Sequence, residues 1–253
     1  MEQKIITKLF ETEHRQNKTD EIMVLENHCH SRFEMICVIE GQATITIEGQ
    51  RLVLSADTVV IIPPLVYHTV TVETQDNYDR LTVLFDSAAI PHTLGSYYST
   101  NDYKIITSPT YILSELKRIC ASQRKEFYAP LCDSLMTQLL YECRKDKEPH
   151  GDAFSHSFLQ SFFDYVESHL YKQITLDDIA THMNLSKSSI SHTFACKMNI
   201  TPKQYIIQKK MAIADRLIRE GTPPTEVSLK IGYENYSDFY RIYKKHFNKS
   251  PKH

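Results

Sequence analysis

Residues 174–202, ITLDDIATHMNLSKSSISHTFACKMNITP, and residues 225–251, TEVSLKIGYENYSDFYRIYKKHFNKSP, are two copies of one unit. Setting Ala180 on Ser228, Met183 on Ile231, Asn184 on Gly232 and Leu185 on Tyr233 gives an offset of 48 residues, which becomes 49 after the turn. Ser186 then falls on Asn235, Ile190 on Phe239, Phe194 on Tyr243 and Thr201-Pro202 on Ser250-Pro251, so one inserted residue separates the copies. Each copy reads as a short helix, a tight turn and a second helix.

Local chemistry agrees with that reading. Thr175 is placed to cap a first helix, with Asp178 three residues on completing a weak capping box. Ile179, Ala180 and Met183 make its inner face. Asn184 and Gly232 stand at the turns, where a positive φ is needed and both residues tolerate it. Ser186 and Asn235 are the expected caps of the two second helices. Ile190 and Phe194, like Phe239 and Tyr243, recur at a spacing of four and form buried stripes. The opposite faces carry Lys187, Ser188, Ser191 and His192 in the first copy and Tyr236, Ser237, Tyr240 and Arg241 in the second. All of these form hydrogen bonds, as base edges and phosphates require, and Lys244 and Lys245 follow as phosphate contacts.

From about Phe158 to Pro251 the chain resembles the paired helix-turn-helix domain of the AraC/XylS transcription regulators. The resemblance rests on L-DDIA…LS…F…TPKQYI in the first copy and IGY…DFYRIYKKHF…SP in the second. It implies two recognition helices in successive major grooves of promoter DNA, joined by a long helix. That helix is expected over Pro202–Glu220, with Pro in its first turn and Gly221 past its end. Its length of roughly 28 Å is near the ~34 Å of one DNA turn. Ser188, Ser191 and His192 are smaller than the readers many members carry, which implies modest or water-mediated selectivity.

Charge divides the same way. From Phe158 onward there are 14 Lys+Arg and 9 Asp+Glu, leaving 15 basic and 22 acidic residues of the chain's 29 and 31 for residues 1–157. A basic C-terminal part on an acidic partner fits a DNA-binding domain joined to one that does not touch DNA. With 253 residues and 42% hydrophobic content the chain can bury two cores. It holds no apolar run of membrane-spanning length, and its N-terminus lacks the apolar core of an export signal. The six cysteines show no paired framework and read as reduced, mostly packing residues of a cytoplasmic protein.

Residues 20–90 read as a run of short strands, including Met35–Ile39, Ala43–Ile47, Arg51–Leu54 and Val59–Ile62, with a turn at Glu48-Gly49-Gln50. Close spacing of short strands suggests a small barrel or jelly roll. HCHSRFEMICVIEG sets His28, His30 and Glu34 ahead of Gly41, and DTVVIIPPLVYH ends in His68. These resemble the two signature motifs of the cupin barrel, although Asp57 and Leu65 stand where that pattern has glycine. In cupins the matching residues ligate one metal ion. In AraC-type sensor domains the barrel mouth takes a small organic effector. His28, His30, Glu34 and His68 therefore have three readings: lining of an effector pocket, ligands of a metal, or hydrogen-bonded structural groups. No cofactor is otherwise expected.

Residues 86–108 read as a connection. From Tyr111 to Cys143 the period becomes helical, with one stripe at Ile112, Leu113, Leu116, Ile119 and Cys120 and another at Leu131, Leu135, Met136, Leu139 and Leu140. Pro130 reads as the start of the second helix. Either the two helices pack on their own barrel or they form a homodimer, as the resemblance implies. Residues 144–157 read as a linker. Phe158, Phe162, Tyr165, Val166 and Leu170 lie at helical spacing and read as core.

The expected fold is therefore two-domain α+β: a cupin-like β-barrel at 1–108, a helical dimerisation region at 109–145, a linker at 146–157 and an all-α double helix-turn-helix domain at 158–253. The expected function is a ligand-responsive, sequence-specific transcription regulator without catalytic residues, with RNA polymerase as a further partner. The alternative from another class is a metal-dependent cupin enzyme carrying a DNA-binding domain. A third, an architectural DNA binder, leaves the barrel unexplained.

Overall fold

A computed structural model describes residues 2–17, 23–24, 28–72, 77–98, 103–107, 110–123, 125–143 and 156–252. Contacts divide the chain into two compact units, one drawn mainly from residues 1–150 and the other mainly from 151–253. The expected linker lies almost wholly outside the described residues.

The first unit is β-rich. Its strands are β1 (Glu2–Ile6), β2 (Phe10–Asn17), β3 (Met23–Val24), β4 (Phe33–Glu40), β5 (Gln42–Ile47), β6 (Gln50–Ser55), β7 (Thr58–Ile62), β8 (His68–Val72), β9 (Tyr78–Phe85) and β10 (Lys104–Thr107). They form a sheet in the order β1-β2-β9-β4-β7-β10 and a second in the order β3-β8-β5-β6. Pairings are antiparallel, as in β4 with β7 and β9 and in β5 with β6 and β8.

Burial on β4 explains the position of the sheets. Ile36 and Val38 point into a core with Ile45, Leu54, Val60 and Val70, between the two sheets. Met35 and Cys37 point the other way, into a core shared with Val59, Ile61, Leu81 and Val83. A strand buried on both faces reads as a continuous apolar run, and MICVI, Met35 to Ile39, is one.

The second face is covered by helices. After a single turn α1 (Gly95–Tyr98), α2 (Thr110–Ala121) and α3 (Lys125–Glu142) pack on each other and on the six-stranded sheet. Ile112, Leu113, Leu116, Ile119 and Cys120 are all buried there, as the sequence leads one to expect. Three expectations fail. Pro130 lies inside α3 and not at its start. Without its N–H the helix lacks one bond in a first turn and a half that has few core contacts to lose. Leu131, one residue on, is 40% exposed and leaves the stripe to Met136, Leu139 and Leu140. The connection at 86–108 also hides β10, an edge strand on β7.

The second unit contains α4 (His156–His169), α5 (Leu176–Met183), α6 (Lys187–Met198), α7 (Pro202–Arg219), α8 (Pro224–Lys230) and α9 (Tyr236–Phe247). Thr175 caps α5 through the Asp178 N–H, and Asp178 accepts in return, a complete capping box. Ser186 and Asn235 cap α6 and α9. Thr201 with Gln204 makes a second capping box on α7, which holds Pro202 in its first turn. Phe162, Phe163, Phe194 and Tyr205 stack into the first motif's core, with Phe162 and Phe194 rings 4.3 Å apart. Five cysteines are buried and Cys196 is exposed on α6.

Candidate functional site

Each helix-turn-helix motif turns its polar face outward. On α6, Lys187, Ser188 and His192 are exposed and Ser191 is half-buried, while Ile190 and Phe194 are fully buried behind them. On α9, Tyr236, Ser237, Tyr240, Arg241, Lys244 and Lys245 are exposed, and Phe239 and Tyr243 are buried. The spacing of four therefore separates a packing stripe from a reading face in both copies. Two cations on these faces are held by local carboxylates: Lys187 by Asp177 at 2.9 Å and Arg241 by Asp238 at 2.9 Å. Both pairs are exposed, so exchange for a phosphate or a base costs little.

Helix α7 joins the motifs. Its 18 residues span about 27 Å. A groove of about 650 Å³ runs between the motifs, with Thr175, Leu176 and Ser191 on one wall, Asn235 and Arg241 on the other, and Lys210 of α7 among its lining. Two lysines of α7 are buried, which the sequence reading had not singled out. Lys209 reaches Glu167 at 3.5 Å, and Lys210 donates to the carbonyls of Lys172 and Ile231. A Lys-Lys pair inside an apolar helix stripe (YIIQKKMAIA) was the available signal.

Ligand atoms of His28, His30, Glu34 and His68 all lie within 4.8 Å of one another. The sequence motifs thus converge. His68 is fully buried at the start of β8, and Glu34 is buried on β4. The His68 Nδ1 faces the Val66 carbonyl at 3.0 Å, and Nε2 faces Glu34 Oε2 at 2.9 Å. Burial works against protonation of this ring, but the Glu34 carboxylate and the Val66 carbonyl outweigh it and hold the pKa above the ordinary histidine value.

Both departures from the cupin pattern sit in left-handed backbone, Asp57 at φ 63° and Leu65 at φ 66°. Both turns take the left-handed backbone without a glycine. Gly41, which the pattern retains, could not change: at φ 82° a Cβ there would meet the Asn77 carbonyl oxygen at 2.3 Å.

A second buried polar group was missed in the sequence. Asp79 is fully buried, bonded to His14 at 2.6 Å and to Lys117. It ties β2, β9 and α2 together away from the His28 cluster. Burial tends to raise its pKa, but the bonds to His14 and Lys117 hold it below the usual carboxylate range.

Residues 14–140 match the family model described as AraC-like ligand binding domain, and residues 179–253 match that of a helix-turn-helix domain. The chain belongs to the AraC family. It is an AraC-type transcription regulator with an N-terminal ligand-binding domain and a C-terminal helix-turn-helix region. Among curated relatives it is 24% identical over 242 residues to the uncharacterized HTH-type transcriptional regulator YdiP of Escherichia coli K12, covering 89% of this chain and 79% of that protein. It is 21% identical over 240 residues to the transcriptional activator RhaS of Escherichia fergusonii, covering 89% and 85%. Among solved structures, that of ToxT from Vibrio cholerae O395 aligns at a TM-score of 0.46 and 12% identity, covering 97% of this chain and 96% of that one. No helix among the described residues of this AraC-type chain is long and apolar enough to cross a membrane.

Proposed function

We propose that this regulator binds promoter DNA with both motifs at once and changes that affinity when its barrel takes up a small effector. The observation that carries the reading is the outward polar face on both α6 and α9, mounted on one helix about 27 Å long. Arg241 and His192 read bases, Ser188, Ser191, Tyr236, Ser237 and Tyr240 add polar and stacking contacts, and Lys187, Lys244 and Lys245 hold phosphates. The protein acts by binding, not by catalysis, in the cytoplasm.

The domain limits under this reading are 1–108 for the barrel, 109–145 for a dimerising helical region and 158–253 for DNA binding. Homodimerisation is supported by Phe127 and Leu131, four apart on α3 and 78% and 40% exposed. RNA polymerase is the partner such a regulator would recruit.

The effector site is the cluster of His28, His30, Glu34 and His68. A differential affinity of the effector for two arrangements of the protein is what alters DNA binding. The donor set also favours a second reading. Three imidazoles and a carboxylate within 4.8 Å suit a divalent first-row ion, and His68 already rests its other nitrogen on a backbone carbonyl, as ligating histidines do. Such an ion would supply a positively charged anchor for an anionic effector.

The test is a thermal-shift series on the untagged protein with organic acids, sugars, fatty acids, and zinc, nickel or manganese chloride, repeated on His68→Ala. A saturable shift with an organic compound, lost in His68→Ala, supports the effector site. A shift with metal alone supports the second reading, and shifts that survive His68→Ala remove the cluster from both.

A further inference from the structure

Two recognition helices can read two grooves only if their separation is set. On the walls of the groove between the motifs, α6 contributes Ser191 and α9 contributes Asp238 and Arg241. The separation is therefore decided behind them, where α7 and the connecting loops meet.

There the side chain of Lys210 is 5% exposed. Its Nζ donates to the carbonyl of Lys172 at 2.5 Å and to the carbonyl of Ile231 at 2.7 Å. Lys172 belongs to the loop that leads into the first motif, and Ile231 closes α8 in the turn of the second. One ammonium thus holds both motifs. The next residue, Gly232, reinforces the contact, because a Cβ there would meet the Lys172 carbonyl carbon at 2.4 Å and the Gln173 nitrogen at 2.6 Å. The two loops touch backbone to backbone with the charge of Lys210 beside them, 5.7 Å from the Tyr233 ring.

Burying a lysine costs free energy, and the cost shows: desolvation pushes its pKa down to about 8. A methionine would fill the same space without that penalty. What a methionine could not do is bind two carbonyls from two motifs. Asp215 of α7, by contrast, accepts from Tyr243 of α9 in the second motif.

We propose that Lys210 is a positioning residue that sets the separation of the two recognition helices, and through it the spacing of half-sites the protein accepts. The proposal rests on the two-motif reading of DNA binding above. A charge-assisted bond to each loop has a narrow optimum in length and angle, so rotation or translation of one motif against the other breaks at least one bond.

The experiment uses the full chain and a two-part DNA site selected with it from random sequence. Affinity is measured for the selected spacing, for spacings one base pair longer and shorter, and for a single half-site. The wild type is expected to lose about tenfold or more on a one-pair change, the scale of a lost base contact. Lys210→Met is expected to weaken binding at the selected spacing, to flatten the spacing dependence to within about threefold, and to leave half-site affinity as in the wild type. Lys210→Gln, able to serve one carbonyl, should fall between them.

An unchanged spacing penalty in both variants overturns the proposal, as does an equal loss on half-site and full site. Loss of cooperative melting in both variants also overturns it, since Lys210 would then serve folding and not spacing. A wild type that selects no two-part site removes the two-motif reading itself, a failure distinct from that of Lys210.

Discussion

Asn184 and Gly232 occupy the same place in the two helix-turn-helix motifs, and both are left-handed, at φ 53° and 76°. They are not equivalent in their surroundings. Gly232 lies against the Lys172–Gln173 peptide so closely that a single added carbon would overlap it, whereas Asn184 ends α5 with its N–H bonded back to the last turn.

That difference fixes the outcome of substitution. Gly232→Ala is expected to destabilise the protein by about 2 kcal/mol or more, combining left-handed strain with displacement of a loop. Asn184→Gly should change stability by less than about 1 kcal/mol, since the same backbone is kept and no contact is added. Chemical denaturation of the two variants measures both. Equal effects would show that the loop contact at Gly232 has no energetic weight.

Leu65 at φ 66° and Asp57 at φ 63° are strained turns. Leu65→Gly should release about 1 kcal/mol of left-handed strain, less what the freer unfolded chain and the lost half-buried side chain cost. Asp57→Gly should gain less, because Asp adopts this region at lower cost. Melting of the purified variants reads the sign. A clear loss at both sites would mean that the side chains, not the turn geometry, hold these positions.

Asp79 has a lowered pKa in the folded protein, so it binds its proton there less readily than in the unfolded chain. Its stabilising contribution is present above the unfolded carboxylate value and is lost as pH falls through the folded one, in the window below about pH 4. Asp79→Asn should cost about 2–3 kcal/mol at neutral pH, because it removes the negative charge facing Lys117 and His14 and turns one of the two acceptor oxygens into a donor. It should also flatten the acid limb of a stability–pH curve. An acid limb identical to the wild type would assign that limb to other carboxylates.

The regular parts of the fold could be read from sequence because they obey single periods. The buried stripes of α6 and α9, and the caps Thr175, Ser186 and Asn235, each depend on residues within one turn, whereas on α5 only Ile179 of the expected inner face is fully buried. Strand β2 could not be found that way. Its inward residues include Thr12 and His14, polar groups buried because Asp79 and Cys132 await them from distant parts of the chain. Pro130 misled for a similar reason: it marks a helix start by statistics, but α3 begins earlier, at Lys125. The His28, His30, Glu34 and His68 cluster was legible as a motif, and its convergence needed strands β4 and β8 to be brought together. Lys210 left only a faint mark in the sequence, a Lys-Lys pair inside the apolar stripe YIIQKKMAIA, and its two carbonyl partners lie far along the chain.

Base readers and phosphate contacts should separate in their specificity. Arg241→Ala is expected to cost ~1–3 kcal/mol on the preferred site and to relax choice at one position. Lys244→Ala should weaken all sequences alike and reduce the salt slope by about 1. Binding isotherms across a salt series and a substituted-site panel distinguish the two. Uniform loss for Arg241→Ala would reassign it to the backbone.

The most direct measurement is hydroxyl-radical footprinting of the full chain on DNA selected from random sequence. Two protected segments on one face, about 10 base pairs apart centre to centre, are the expected result for paired recognition helices on α7. One protected segment, or two whose spacing varies among selected sequences, would contradict simultaneous reading by the two motifs.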